Sequence, residues 1–379
     1  MKILSYVIHI CQANKGKKGT NLLDKTDFLC NNRKRNKSLE GNAMKAIFLL
    51  NNKANVEYVY SKEALQRLKN LVDIDLDDIY CQEELEENPE KFRDVEYVFS
   101  TWSMPGGTEP KDDFGRFMPN LKALFYAAGS VRYFAESYFK RNVRIFSAYA
   151  ANAIPVAEFT VGQILLANKG FYQASRLAKT GNRGLAYELS LKHCGNYDAK
   201  VGIIGVGMIG KKVIELLKSY KLQIYAFDKF MSEEQALSLG VKKVELETLF
   251  AECDVISNHL ANVPATVGII SRELLAKMKP YATFINTGRG AQVDEQGLID
   301  VLKEREDLVA LLDVTATEPL ESTSELYNLE NVVLTPHIAG SQANEVKRMS
   351  DLIVDELERY LHGEPCLYEI TPEKFKNMA

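Results

Sequence analysis

The sequence predicts an α/β protein made of two doubly wound parallel-sheet domains. From Met44 onward, short β-rich apolar runs alternate with longer helical ones, the pattern of a parallel sheet covered by helices on both faces. The apolar runs of the second half are nearly continuous, as expected for strands buried on both faces. A GxGxxG stretch, Gly205-Val-Gly207-Met-Ile-Gly210, stands between one of those runs and a helical segment. At 379 residues the chain is long enough for two cores.

In chain order, KAIFLL (45–50) reads as a strand and SKEALQRLKNLV (61–72) as a helix. VEYVFS (95–100), LKALFYAAG (121–129) and RIFSAY (144–149) read as three more strands. The stretch 154–179 reads as one long helix bridging two domains, with Pro155 in its first turn and Gly162 and Gly170 as weak points. A second alternating block follows, with strands in AKVGIIG, LQIYAFD, KKVEL, DVISNHL, TFINTG, LVALLDV and NVVLTPH. The stretch 343–363 has apolar residues at helical spacing and ends at Gly363.

Composition is that of a soluble globular protein, 46% hydrophobic and 26% charged, and the net charge of −4 gives no general attraction to nucleic acid or to an anionic membrane. No run reaches the roughly 18 apolar residues of a membrane-crossing helix. The six cysteines, Cys11, Cys30, Cys81, Cys194, Cys253 and Cys366, are scattered without a CxxC pair. They read as reduced thiols in a cytoplasmic protein and not as a disulfide framework or a zinc site, so no metal is expected. The first 43 residues carry nine Lys/Arg against three acids, leaving the body at about −10. Their opening, MKILSYVIHICQA, has one lysine and an apolar run broken by Ser5, Tyr6 and His9, a poorly formed signal peptide. We read residues 1–43 as a disordered extension, with an upstream start before Met44 as a variant of that reading.

GxGxxG alone is a weak signal, but its context here is the required one. Strand Val201–Ile204 enters it, a helix from Lys211 leaves it, and a second strand ends at Asp228, 18 residues beyond Gly210. Gly205 permits the tight turn, Gly207 lets backbone approach a pyrophosphate, and Gly210 allows helix and strand to pack closely. The helix N-terminus that follows Met208 and Ile209 offers unpaired N–H groups and the positive end of its dipole to the phosphates. Asp228 would accept hydrogen bonds from the adenosine ribose and repel a 2′-phosphate. NAD is therefore the expected cofactor, with the neighbouring Lys229 keeping NADP open.

Ligands of such sheets sit beyond the carboxyl ends of the strands. After TFINTG comes Arg289, between Gly288 and Gly290; after LVALLDV comes TATEP, with Glu318; after NVVLTP comes His337. Taken singly, each has a plain alternative: a surface arginine, a solvated carboxylate, an imidazole filling space. Together, at three strand ends beside a dinucleotide fingerprint, they suit oxidation of a 2-hydroxy acid or reduction of the 2-keto acid. Arg289 would grip the substrate carboxylate with its planar fork. His337 would donate a proton to the ketone oxygen, or take the hydroxyl proton in reverse. Glu318 would hold the far ring nitrogen and stabilise the charged ring. His259 also follows a strand, near the cofactor edge, but has no carboxylate of its own in view.

With these residues the chain resembles the D-isomer-specific 2-hydroxyacid dehydrogenase family, which includes phosphoglycerate dehydrogenases. The likeness runs from about Met44 to Gly363 and is strongest in GIIGVGMIG, INTGRGAQVDE, LLDVTATEP and LTPHIAGS. It implies Arg289, Glu318 and His337 as the catalytic trio. It implies dinucleotide contacts at Gly205 to Gly210, Asp228, Leu260, Thr266, Thr287, Gly288, Asp313 and the turn from His337 to Gly340. It further implies a Rossmann NAD domain (150–341) inserted into a flavodoxin-like substrate domain (44–149 and 342–379), an active site in the cleft between them, and homodimerisation through the NAD domains. Two stretches depart from the family pattern. The loop resembling GAGVDN is here AAGSVRY (127–133), and HxP is here HLA (259–261). No C-terminal regulatory domain follows, so feedback control by serine is not expected. Formate-type relatives of this fold carry Gln where Glu318 stands, which argues against formate. NAD-sensing corepressors share the fold and the trio, so a binding protein without turnover is the alternative to an enzyme.

Overall fold

The computed structural model describes residues 44–106 and 112–376. The extension read in residues 1–43 lies outside them.

The first sheet is formed by β1 (Ala46–Leu49), β2 (Ile79–Tyr80), β3 (Tyr97–Ser100), β4 (Ala123–Tyr126) and β5 (Arg144–Ser147). Helices α1 (Ala54–Val59), α2 (Lys62–Leu71), α3 (Gln82–Glu87) and α4 (Ala135–Phe139) connect them. Next come α5 (Tyr149–Ala167), α6 (Phe171–Lys179) and α7 (Arg183–Ser190). The second sheet holds β6 (Lys200–Ile204), β7 (Gln223–Phe227), β8 (Lys242–Lys243), β9 (Val255–Asn258), β10 (Thr283–Asn286), β11 (Val309–Leu312) and β12 (Val332–Leu334). Its helices are α8 (Met208–Leu217), α9 (Glu233–Leu239), α10 (Leu246–Glu252), α11 (Arg272–Leu275) and α12 (Glu295–Glu304). The chain then forms α13 (Lys347–Leu361), β13 (Glu369–Ile370) and α14 (Pro372–Phe375).

Strand order in the second sheet is β12-β11-β10-β9-β6-β7-β8, all parallel. This is the dinucleotide-binding order, with its reversal between β6 and β9. Alternate residues of one strand enter different cores: Val309 and Leu311 pack with Val161 and Ile164 of α5, while Ala310 and Leu312 pack with Leu298 and Leu302 of α12. Burial on both faces is why these strands read as continuous apolar runs. The first sheet has the order β13-β5-β4-β3-β1-β2, which is flavodoxin-like with one added edge strand. That strand, β13, pairs antiparallel to β5 and returns the chain to the first sheet, an exception to the expected all-parallel pairing.

The long helix expected over 154–179 is two helices. It begins earlier, at Tyr149, so Pro155 lies inside it and not in its first turn. It ends near Gly170, whose φ of +63° is left-handed and breaks the helical path. Contrary to expectation, α5 is apolar and long enough by composition alone to cross a membrane. In the fold, 56% of that window is buried, and the helix covers one face of the second sheet.

Candidate active site

Parallel register brings the strand ends level. Ile204 pairs with Asn258, Asn258 with Asn286, Asn286 with Leu312, and Leu312 with Leu334. The segments that follow these five residues therefore share one edge: the glycine loop, His259-Leu260, Thr287-Gly288-Arg289, Asp313, and the turn carrying His337.

At this edge His337 Nδ1 lies 3.1 Å from the Glu318 carboxylate. Both residues are exposed, so Nε2 is the ring nitrogen left for a substrate. The turn holding His337 is built by Asp313. The backbone N–H of His337 donates to the Asp313 carbonyl at 3.1 Å. The buried Asp313 carboxylate accepts from Ile338 N at 2.8 Å, Ala339 N at 2.9 Å and the Thr335 hydroxyl at 2.6 Å. His337 itself is left-handed, with φ of +54°, which few non-glycine residues adopt. Glu318 precedes Pro319 across a cis peptide bond.

Arg289 is half-buried. Its Nη1 donates to the Gly288 carbonyl at 2.7 Å, and burial lowers its pKa while the charge of Glu318 raises it. Beside it lies an amide network outside the sequence-based expectations. Asn258 Nδ2 donates to Asn286 Oδ1 at 3.0 Å and to Gln292 Oε1 at 2.6 Å, and Gln292 Nε2 donates to the Leu260 carbonyl at 2.7 Å. Gln292 Oε1 also accepts the Arg289 N–H, and Asn286 Nδ2 donates to the Arg289 carbonyl. The only sequence signal for these amides is their polarity at the ends of apolar strands. Gly290 has a packing reason: a Cβ there would run into the Thr315 carbonyl.

The glycine loop fits a dinucleotide. Gly205 has φ of +86°, and a Cβ on it would come within 2.8 Å of His259 O and Leu260 N. A Cβ on Gly210 would meet the Gly205 carbonyl, whereas one on Gly207 meets nothing within 4 Å. Gly207 is thus the N-cap of α8 facing open space, with no side chain capping the first N–H groups, and Met208 beside it is exposed. Asp228 Oδ2 accepts from Val206 N and its Oδ1 from Phe230 N, both at 2.8 Å. Each oxygen keeps a lone pair for a ribose hydroxyl.

The remaining residues suggested by resemblance also lie on this edge, with their polar atoms already engaged. Leu260 N donates to Asn258 Oδ1. The Thr266 hydroxyl bonds within its own turn, to the Ala261 and Val263 carbonyls. Thr287 shares a buried hydroxyl pair with Thr160 of α5 at 3.2 Å. Gly340 sits beside Asn152, whose Oδ1 accepts from Ser341 N. Asp313, suggested as a dinucleotide contact, spends its carboxylate on the His337 turn. Ile209 is half-buried in the first turn of α8.

The family description "D-isomer specific 2-hydroxyacid dehydrogenase, NAD binding domain" matches residues 161–339. A glyoxylate reductase of Korarchaeum cryptofilum is 30% identical over 248 residues, 65% of this chain and 75% of that protein. The chain belongs to the D-isomer-specific 2-hydroxyacid dehydrogenase family. A D-3-phosphoglycerate dehydrogenase of Archaeoglobus fulgidus is 32% identical over 244 residues, 63% of this chain but 46% of that protein. The chain spans about half the length of the curated phosphoglycerate dehydrogenases it matches. In fold it is similar to the holo form of Rhodotorula graminis D-mandelate dehydrogenase, with a TM-score of 0.74 at 20% identity over 87% of this chain and 98% of that one.

In this family member His259 does not share the exposure of His337. Its ring is buried, its Nε2 lies 3.0 Å from the Ser257 hydroxyl, and desolvation pushes its pKa down to about 3. Its Nδ1 is buried without a protein partner. What His259 contributes to the NAD-binding edge is backbone, packed behind Gly205.

Proposed function

We propose that this protein interconverts a D-2-hydroxy acid and its 2-keto acid with NAD, using His337 as general acid and base. The observation that carries the proposal is the His337–Glu318 pair, held on a turn anchored by Asp313 at the edge that carries the Gly207 cradle. We assign residues 150–341 to NAD binding and residues 44–149 and 342–379 to the substrate side.

The chemistry supplied by the dinucleotide when bound is hydride exchange with the substrate carbon. Arg289 would take the substrate carboxylate through its fork and polarise the adjacent carbonyl. His337 Nε2 would donate its proton to the ketone oxygen during reduction and accept the hydroxyl proton during oxidation. Glu318 fixes the ring by holding Nδ1, which sets its orientation and leaves Nε2 toward the substrate. The asparagine and glutamine network keeps the Arg289 loop in place without adding charge.

We also place a homodimer contact on the NAD-binding part of the chain. Leu166, Phe171, Leu185, Tyr187, Leu191 and Tyr197 are all exposed, on or beside α5, α6 and α7. A large exposed apolar surface of this kind favours a protein partner, and a second copy is the occupant we propose. Sedimentation of Leu185→Glu/Leu191→Glu should give a monomer; an unchanged assembly would remove this contact.

The reaction is tested by following NADH absorbance with a panel of 2-keto acids. His337→Ala should lose roughly a hundredfold or more in kcat, because it removes the proton donor, while its NADH affinity stays near that of the wild type. NADH binding without turnover on any 2-keto acid would favour a dinucleotide sensor instead.

A further inference from the structure

We infer that the substrate side of the cleft takes a 2-keto acid with an uncharged, apolar side chain, preferably an aryl group, and not a phosphorylated one. This rests on the proposed dehydrogenase reaction and names its substrate class.

The first sheet presents its own level edge. Phe48 pairs with Phe99, Ser100 with Tyr126, and Tyr126 with Ser147, so the segments after β1, β3, β4 and β5 emerge together. The chain leaving His337 runs onto this edge: Ser341 N donates to Asn152 Oδ1 at 2.9 Å, and Ala343 N donates to the Tyr58 hydroxyl at 2.9 Å. Tyr58 is therefore tied to a residue six positions from the acid/base group. Its ring lies 6.4 Å from that of Trp102, centroid to centroid, tilted by 34°.

This aromatic pair is a preformed wall. Asn51 N donates to the Ser103 carbonyl at 2.8 Å, Asn52 N to the Ser103 hydroxyl at 2.9 Å, and Asn55 Nδ2 to the Trp102 carbonyl at 3.0 Å. Ser103 has φ of +70°, a strained value that those bonds sustain. Trp102 packs against the core of the first sheet, and Tyr58 is 44% exposed, so the pair presents a fixed, partly open apolar surface at this edge.

A phosphate group would need cations free to meet it. Among the described residues of these segments, Lys53, Lys347 and Arg132 each already have a partner. Lys53 pairs with Glu84 at 2.8 Å. Lys347 Nζ donates to the carbonyls of Glu57, Tyr58 and Tyr60. Arg132 stacks over Phe375 and donates to its carbonyl. An aryl group against the Tyr58–Trp102 wall gains both buried area and ring contact, without disturbing any of these pairs.

The test compares kcat/KM for phenylpyruvate, glyoxylate and 3-phosphohydroxypyruvate with NADH, in the wild type and in Trp102→Ala. Phenylpyruvate should be the best of the three, and Trp102→Ala should cut its kcat/KM at least about tenfold more than that of glyoxylate. Trp102→Phe should recover most of the preference, and unchanged NADH affinity in both variants would show that the second sheet is intact. A wild type that prefers 3-phosphohydroxypyruvate, or a Trp102→Ala loss equal for phenylpyruvate and glyoxylate, overturns the inference and leaves the dehydrogenase reading in place. Absence of turnover on these three with activity on another 2-keto acid overturns the inference alone, and absence on the whole panel overturns the dehydrogenase reading with it.

Discussion

His337 and Asp313 are joined through the backbone, His337 N–H to Asp313 carbonyl at 3.1 Å, and the carboxylate of the same aspartate accepts the next two N–H groups of the turn. The left-handed conformation of His337 is sustained by this arrangement. Asp313→Asn would turn one carboxylate oxygen into a donor facing a donor. Leaving such a buried N–H unsatisfied costs about 1–3 kcal/mol, so a lowered Tm and a fall in kcat are expected. Equal Tm and equal kcat in the variant would separate the turn from catalysis.

Backbone strain at His337 gives a second expectation. Both His337→Gly and His337→Ala remove the proton donor, but glycine alone accepts φ of +54° without penalty. Chemical denaturation should find His337→Gly more stable than His337→Ala by about 1 kcal/mol. The reverse order would mean that the turn relaxes when the ring is removed.

Arg289→Lys keeps a positive charge and loses the fork. KM for the keto acid should rise roughly tenfold or more while NADH affinity is retained, since the two bidentate N–H groups have no counterpart in lysine. Steady-state kinetics showing an unchanged KM would exclude Arg289 as the carboxylate clamp.

The glycine loop separates packing from ligand space. A Cβ at position 210 would collide with the Gly205 carbonyl, so Gly210→Ala should lower Tm. A Cβ at position 207 meets nothing within 4 Å, so Gly207→Ala should fold normally and weaken NADH binding. Calorimetric titration of Gly207→Ala with undiminished affinity would show that the dinucleotide lies elsewhere.

Burial of neutral His259 predicts acid sensitivity. Its pKa falls from an ordinary 6.5 to about 3 in the fold, so below pH 6.5 the unfolded chain binds a proton that the folded one does not. Its contribution to stability is therefore present above pH 6.5 and is lost as pH falls toward 3, at up to about 1.4 kcal/mol per unit. Denaturation profiles across this window should be flatter in His259→Gln; equal slopes would assign the acid sensitivity to other groups.

The sequence by itself determined the two alternating sheets, the GxGxxG turn with Asp228 at the next strand end, and the strand-end positions of Arg289, Glu318 and His337. These are local signals: the period of apolar residues, and the residue that follows a strand. Tertiary structure alone decided what those residues touch. Glycine at 170 is visible in the sequence, but its left-handed turn against His193, which cuts the long helix in two, is not. The two-residue β13 is too short to show a period and exists through pairing with β5, more than 200 positions earlier. The carboxylate of Asp313 is claimed by N–H groups 25 and 26 residues downstream. Tyr58 and Trp102 meet only because parallel register sets two distant strand ends level. Hydrogen-bond partners and ring contacts depend on separations in space that no periodicity encodes, and so they entered with the fold.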